Sequence, residues 1–167
     1  ALACAVEHPD IAIPALTSAL GDGDINVRIA AFVALPYFGS NARKPLCKAL
    51  GSRDPDTASR AALALGHLGP DAAGAVPLLI EKLYHEQVRP AAAEALASVG
   101  PASGLAVPSL IDVLSLPEKA SRGGRPSVAP ILTALGKAGP PAKNAIPIVI
   151  KYRGDPNYDY YAVVALY

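Results

Sequence analysis

Few side chains in this sequence could do chemistry. Nucleophilic catalysis needs a Ser or Cys, a base within hydrogen-bond reach and an orienting carboxylate. The bases are His8, His67 and His85, and the thiols are Cys4 and Cys47. The sequence has no paired-Cys motif, no Ser-centred elbow and no Gly-rich loop between a strand and a helix. Gly123-Gly124 stands in a loop instead. His85-Glu86 is the one His-Glu dipeptide, which could offer a base and a carboxylate. It stands where a helix should begin, and it reads as a helix cap and first turn. No catalytic residue, metal site or cofactor is expected.

Composition narrows the classes further. The chain has 167 residues, 51% of them apolar and only 17% charged. Ala alone accounts for 33, so the core must use small side chains and close helix contacts. Fifteen Lys and Arg against fourteen Asp and Glu leave a charge of +1. That excludes a globally basic nucleic-acid binder and a disordered chain. No apolar run approaches ~18 residues, so no membrane span is expected.

The chain repeats itself. Ala-Leu recurs at Ala1-Leu2, Ala34-Leu35, Ala64-Leu65, Ala95-Leu96, Ala134-Leu135 and Ala165-Leu166. Gly follows four residues after the middle four Leu, at Gly39, Gly69, Gly100 and Gly139. A second column, Leu16, Leu46, Leu79, Leu110 and Val149, alternates with the first. Each of its members has Ala four residues earlier, and Pro lies two before at Pro14, Pro77, Pro108 and Pro147. Pro45 is one place out of register.

Each unit therefore reads as two short helices. Asp71 to Tyr84 carries one apolar stripe at helical spacing and Val88 to Val99 another. The Pro inside the first helix should bend it. Gly suits a left-handed cap after the second helix. Asp24, Asp56 and Asp155 stand where the second helix should be capped, with Pro156 at a first helical position. Neither helix can bury its stripe alone, so successive pairs must cover one another.

The segments Gly69-Pro70-Asp71-Ala72-Ala73-Gly74-Ala75-Val76-Pro77-Leu78-Leu79 and Val88-Arg89-Pro90-Ala91-Ala92-Ala93-Glu94-Ala95-Leu96 resemble HEAT-like repeats. They are closest to the short repeats first associated with phycobilisome bilin lyases. The resemblance covers nearly the whole chain. It implies an all-α, right-handed α-solenoid of about five helix pairs, residues 1–167 forming one array. The Arg after the Val that opens the second helix matches at Arg28 and Arg89, but Ala58, Val128 and Asp159 stand at the other places. Deoxyhypusine hydroxylases, also HEAT-like, build a di-iron centre from several His-Glu pairs. Here the pair occurs once. HEAT-like DNA glycosylases use a strongly basic face. Here Asp54 and Asp56 interrupt the cluster of Arg43, Lys44, Lys48, Arg53 and Arg60, so nucleic acid is disfavoured as a partner. A bilin lyase-like chromophore-handling subunit is the alternative that the resemblance implies.

Cys4 and His67 share one outward column with Tyr37, Ser98 and Lys137, two repeats apart. At ~10 Å per helix layer they cannot share a metal whose ligands lie ~2 Å from it. Cys47 shares a column with Thr17, Ile80, Ile111 and Ile150 and reads as a small core residue. The chain begins and ends inside a repeat, which suggests a fragment of a longer array or ends covered by partners. The compartment stays open: cytoplasmic is the default, and a fragment's start is compatible with a removed signal peptide. Leu110 to Leu135 spans 25 residues where equivalent gaps are 17 or 19. The additional residues form a loop at 115–126, whose Lys119, Arg122 and Arg125 make either a basic binding loop or a tolerated insertion.

Subtracting the core columns leaves the outward positions of the second helices. Ile29, Val33, Tyr37, Leu63, His67, Tyr160, Tyr161 and Val164 are apolar or aromatic for a solvated face, alongside more polar or small positions such as Arg60, Ala91, Glu94, Ser98, Thr133 and Lys137. Extended apolar patches mark interfaces, and Tyr is enriched at binding hot spots. Five of seven Tyr lie at the end, Tyr152, Tyr158, Tyr160, Tyr161 and Tyr167. They form either an aromatic docking surface or terminal core packing. The expected function is a protein-interaction scaffold or accessory subunit of a larger assembly, with protein partners docked along one helical face.

Overall fold

The computed structural model describes residues 7–116 and 128–166. Cys4, the Lys119, Arg122 and Arg125 loop and Tyr167 lie outside the described residues. Within them the chain is helical and without strands. It is an α-solenoid of five helix pairs. The helices are α1 (Pro9–Ala19) with α2 (Ile25–Ala34), α3 (Ser40–Leu50) with α4 (Pro55–His67), α5 (Val76–Lys82) with α6 (Arg89–Val99), α7 (Val107–Ser115) with α8 (Val128–Lys137), and α9 (Ile146–Val149) with α10 (Asp159–Leu166).

Both Leu columns form the core. Leu65, Leu96 and Leu135 are buried from the second helices and Leu35 from the 3-10 turn that ends α2; Leu46, Leu79, Leu110 and Val149 are buried from the first helices, where Leu16 is half-buried. The Ala positions paired with them are buried too, from Ala42 to Ala145. Neighbouring second helices meet over small residues. A Cβ on Gly66 of α4 would lie 2.9 Å from Ala95 Cα of α6, and one on Gly136 of α8 would lie 3.0 Å from Ala165 Cα of α10. No side chain larger than hydrogen fits at either Gly without displacing a helix.

The first helices depart from expectation. Pro14 and Pro45 do lie inside α1 and α3. In the last three units the segment before the Pro is a 3-10 helix, Gly69–Ala75, Gly100–Ala106 and Pro140–Ala145. The α-helix starts one residue before Pro77, Pro108 and Pro147. Pro at the first turn of a helix loses no hydrogen bond, so there it sets a junction rather than a bend.

The turn chemistry also needs correction. Gly39, Gly100 and Gly139 have positive φ, as expected of a cap, but with ψ of −136°, −141° and −148°. That is not the left-handed helical region; it is backbone that essentially only Gly enters. Asp24 caps α2 by accepting from Asn26 N–H at 2.7 Å. The cap of α4 is Asp54, not Asp56. Its carboxylate accepts from the Thr57 N–H at 2.9 Å and from the Thr57 hydroxyl, while Pro55 takes the first helical position and Asp56 pairs with Arg60 at 3.8 Å. Asp155 and Pro156 precede α10 in a turn, where Asp155 accepts from Asn157 N–H. Nor does the His85 side chain cap α6; its carbonyl accepts from Val88 and Arg89 N–H, and no side chain caps that helix.

Arg28 and Arg89 occupy equivalent positions and do equivalent work. Arg28 donates to the carbonyls of Asp22 and Gly23, and Arg89 to that of Leu83 at 2.7 Å. Each closes the turn of its own unit, so they form no ladder between units. The helical stretch Arg89–Ser115 is long and apolar enough to cross a membrane by length and composition, with a mean hydropathy of 1.3. The positive φ at Gly100 breaks it, and Leu96, Val99, Val107 and Leu110 within it belong to the solenoid core.

Two backbone constraints can be separated experimentally. Gly66→Val should lower stability by about 2 kcal/mol through overpacking against Ala95. Nothing lies within 4 Å of a Cβ at Gly100, so Gly100→Ala tests conformation alone; it should lose about 1–3 kcal/mol. Urea unfolding of both variants checks this, and a wild-type midpoint for either contradicts the assignment. The Thr57 bonds hold the Asp54 carboxyl below its usual range, and the Gly154 N–H does the same for Asp159, with help from Arg153. A lowered folded pKa means that these contributions are whole above the ordinary carboxylate range, about pH 4, and vanish as pH falls through the lowered values. The melting temperature of Asp54→Ala should therefore lie below that of wild type at neutral pH and converge with it in acid.

Candidate interaction surface

The second helices present one continuous face, built from α2, α4, α6, α8 and α10. On α2 and the 3-10 turn after it, Ile29, Val33 and Tyr37 are 55%, 52% and 69% exposed. His67 of α4 is exposed and sets its ring edge-on to Phe32 of α2, 5.0 Å between centroids. Leu63 is half-buried beside it. Ser98 of α6 abuts Gly66, continuing the face past His67. Next comes a cleft of about 380 Å³. Glu94 and Ser98 of α6, Pro130, Thr133 and Lys137 of α8 and Tyr161 of α10 line it. The columns read from the sequence do converge there, across three helices.

The cleft is polar but not reactive. The Ser98 hydroxyl donates to the Glu94 carbonyl at 3.1 Å and that of Thr133 to the Ala129 carbonyl at 2.9 Å. Both donors are thus occupied within their own helices. Glu94 and Lys137 stand without an ion-pair partner among the described residues. Two expected surface positions behave otherwise: Ala91 is buried between neighbouring helices, and Arg60 reaches back to donate to the Leu20 carbonyl at 3.0 Å.

The terminal tyrosines divide. Tyr152 and Tyr158 pack edge-on at 6.0 Å against the core, and the Tyr152 hydroxyl donates to the Leu114 carbonyl. Tyr160 is exposed, its ring edge-on to the half-buried Tyr161 at 5.4 Å, and Val164 is exposed beyond them. Sequence reasoning missed Ile25 and Val27, which are also exposed on α2. The signal was available: Ile25–Ala34 is apolar on nearly all sides, as a helix covered on more than one face would be. Exposed apolar side chains elsewhere lie on or beside the first helices, among them Ile11, Leu105, Ile146 and Ile150.

Cys47 is half-buried against the core. Burial pushes its thiol up, against the opposing pull of Arg43, which disfavours the thiolate. His85 is exposed at the α5–α6 turn, away from the second-helix face. Among the described residues, no three His, Cys, Asp or Glu side chains gather to hold a metal ion.

The sequence profile of HEAT repeats matches residues 13–97 and again 43–123. The chain belongs to the HEAT-repeat family. No curated protein sequence matches it. Among solved structures this HEAT-repeat chain is similar to a designed armadillo repeat protein, with a TM-score of 0.66 at 17% identity, over 99% of this chain and 84% of the other. It is also similar to an engineered protein, with a TM-score of 0.60 at 21% identity, over 98% and 82%. Likeness at these identities shows the fold alone.

Proposed function

We propose that this HEAT-repeat array is a protein-interaction scaffold or accessory subunit of a larger assembly. It docks a protein partner along the second-helix face. Ile29, Val33 and Tyr37 form the apolar anchor, Leu63 and His67 extend it, and Tyr160, Tyr161 and Val164 form a second anchor beyond the polar cleft. One observation carries this reading: the exposed apolar side chains on α2 stand in succession on the same helix face that the later units continue. Water against such a row is unfavourable by ~25 cal/mol per Å², and a partner that covers it recovers that energy. Glu94 and Lys137 supply polar contacts between the anchors.

The reading assigns no reaction to the chain. The bilin lyase-like alternative gains no support, because the family match is to HEAT repeats as such and carries no activity. A compact apolar anchor also fits a protein better than it fits nucleic acid, whose phosphates require a basic face.

Photo-reactive residues placed at Tyr37, Tyr161 and, as a control, Lys151 should map the contact in the native assembly. The first two should cross-link to the same protein and the third should not. Tyr37→Ala, Leu63→Ala and Tyr161→Ala should each weaken that partner, with the larger losses at about 2 kcal/mol. The exposed Tyr37 variant should melt like wild type, and the other two, which pack partly against the core, should melt somewhat lower but keep the helical array folded. Unchanged affinity in all three variants would place the docking face elsewhere.

A further inference from the structure

The cations of the first three units are not equivalent. Arg28, Arg43, Arg60 and Arg89 are each tied to backbone carbonyls, those of Asp22 and Gly23, Asp71, Leu20 and Leu83 respectively. Lys44, Lys48 and Arg53 are exposed, and none has a hydrogen bond or ion pair among the described residues. All three line grooves, one between the first helices α1 and α3 and one at the starts of α4 and α6. The first groove, about 620 Å³, runs between α1 and α3. Pro14 and Pro45 face each other across it, Lys44 and Lys48 flank it, and no acidic side chain lines it. The second, about 810 Å³, lies where the α3–α4 turn meets the α5–α6 turn. Arg53, Lys82 and His85 line it with a single acid, Glu86. Ser52 lines both grooves and joins them; Pro14 and Pro45 also line a smaller hollow of about 340 Å³ farther along α1 and α3, where Asp10 stands as its one acid.

We infer that this joined groove binds an acidic, partly apolar segment of a partner protein, at a site separate from the second-helix face. Charge complementarity selects the occupant. A row of unpaired cations on a chain of charge +1 is a local excess that carboxylates satisfy. The apolar walls at Pro14, Pro45 and Ala49 take up apolar side chains between the carboxylates. A nucleic acid fits less well. Asp54 and Asp56 are exposed at the adjoining start of α4 and repel a continuous line of phosphates, whereas a peptide can leave a neutral residue opposite them. Lys82 contributes less than the other cations, because it is paired with Glu81 at 3.5 Å and only 13% exposed.

Fluorescence anisotropy of a labelled peptide in which Glu alternates with Leu tests the assignment. The peptide should bind the whole chain, and binding should weaken as salt is raised. Lys44→Glu with Lys48→Glu should reduce affinity about tenfold. The milder Lys44→Ala with Lys48→Ala should reduce it less, with the helical circular dichroism signal unchanged. Lys151→Glu and Tyr37→Ala should bind as wild type does, which separates this groove from the second-helix face. Three results would overturn the inference: no binding of the peptide, equal binding by the Lys44/Lys48 variants, or tighter binding of a single-stranded oligonucleotide of the same charge.

Discussion

The approach of neighbouring second helices sets the rest of this architecture. α4 meets α6 where Gly66 leaves no room for a Cβ beside Ala95, and α8 meets α10 in the same way at Gly136 and Ala165. Ala61, Ala62, Ala92 and Ala93 are fully buried in the same layers. Each buries little area, so individually they contribute little. Their effect is geometric: they let backbones approach closely, and the larger buried Leu side chains fill the space behind them. A close-packed interior transmits strain and resists deformation. The outward side chains of the second helices are therefore held at fixed spacing, which suits a surface that must match another.

Polar groups divide their labour around this core. Guanidinium groups secure turns: Arg28 and Arg89 hold the chain where the first helix hands over to the second, and Arg60 fastens α4 to the end of α1. Carboxylates cap helix starts at Asp24 and Asp54. Ammonium groups on α3 are left facing solvent. A planar guanidinium with several fixed donors suits carbonyl clusters, whereas Lys carries a single strongly hydrated charge. A basic cluster that looks uniform in the sequence thus separates into Arg43 and Arg60, tied to carbonyls, and Lys44, Lys48 and Arg53, which stay available.

The solenoid and its repeat boundaries were legible because burial enforces periodicity. A Leu that must enter the core of every unit recurs at a near-constant interval, and a Gly that must adopt positive φ recurs behind it. The outward columns could be read by subtraction, and Glu94, Ser98, Thr133, Lys137 and Tyr161 do line one cleft. Local hydrogen bonding was less legible. In Arg53-Asp54-Pro55-Asp56 either Asp could cap a helix, and the turn geometry that places Asp54 opposite Thr57 decides. Likewise Pro77, Pro108 and Pro147 mark a discontinuity without saying whether the segment before it is α or 3-10.

By itself the sequence determined the helical pairing, the core columns and membership of a repeat family, since these follow from residue spacing along one dimension. Only the tertiary structure decided which charges are already taken, which aromatic rings are covered, and which surfaces run on from one unit to the next. Those properties depend on residues distant in the chain, such as Phe32 with His67, Leu20 with Arg60 and Gly66 with Ala95. Periodicity within a unit carries no information on the contacts between such pairs; the packing of units on one another supplies it.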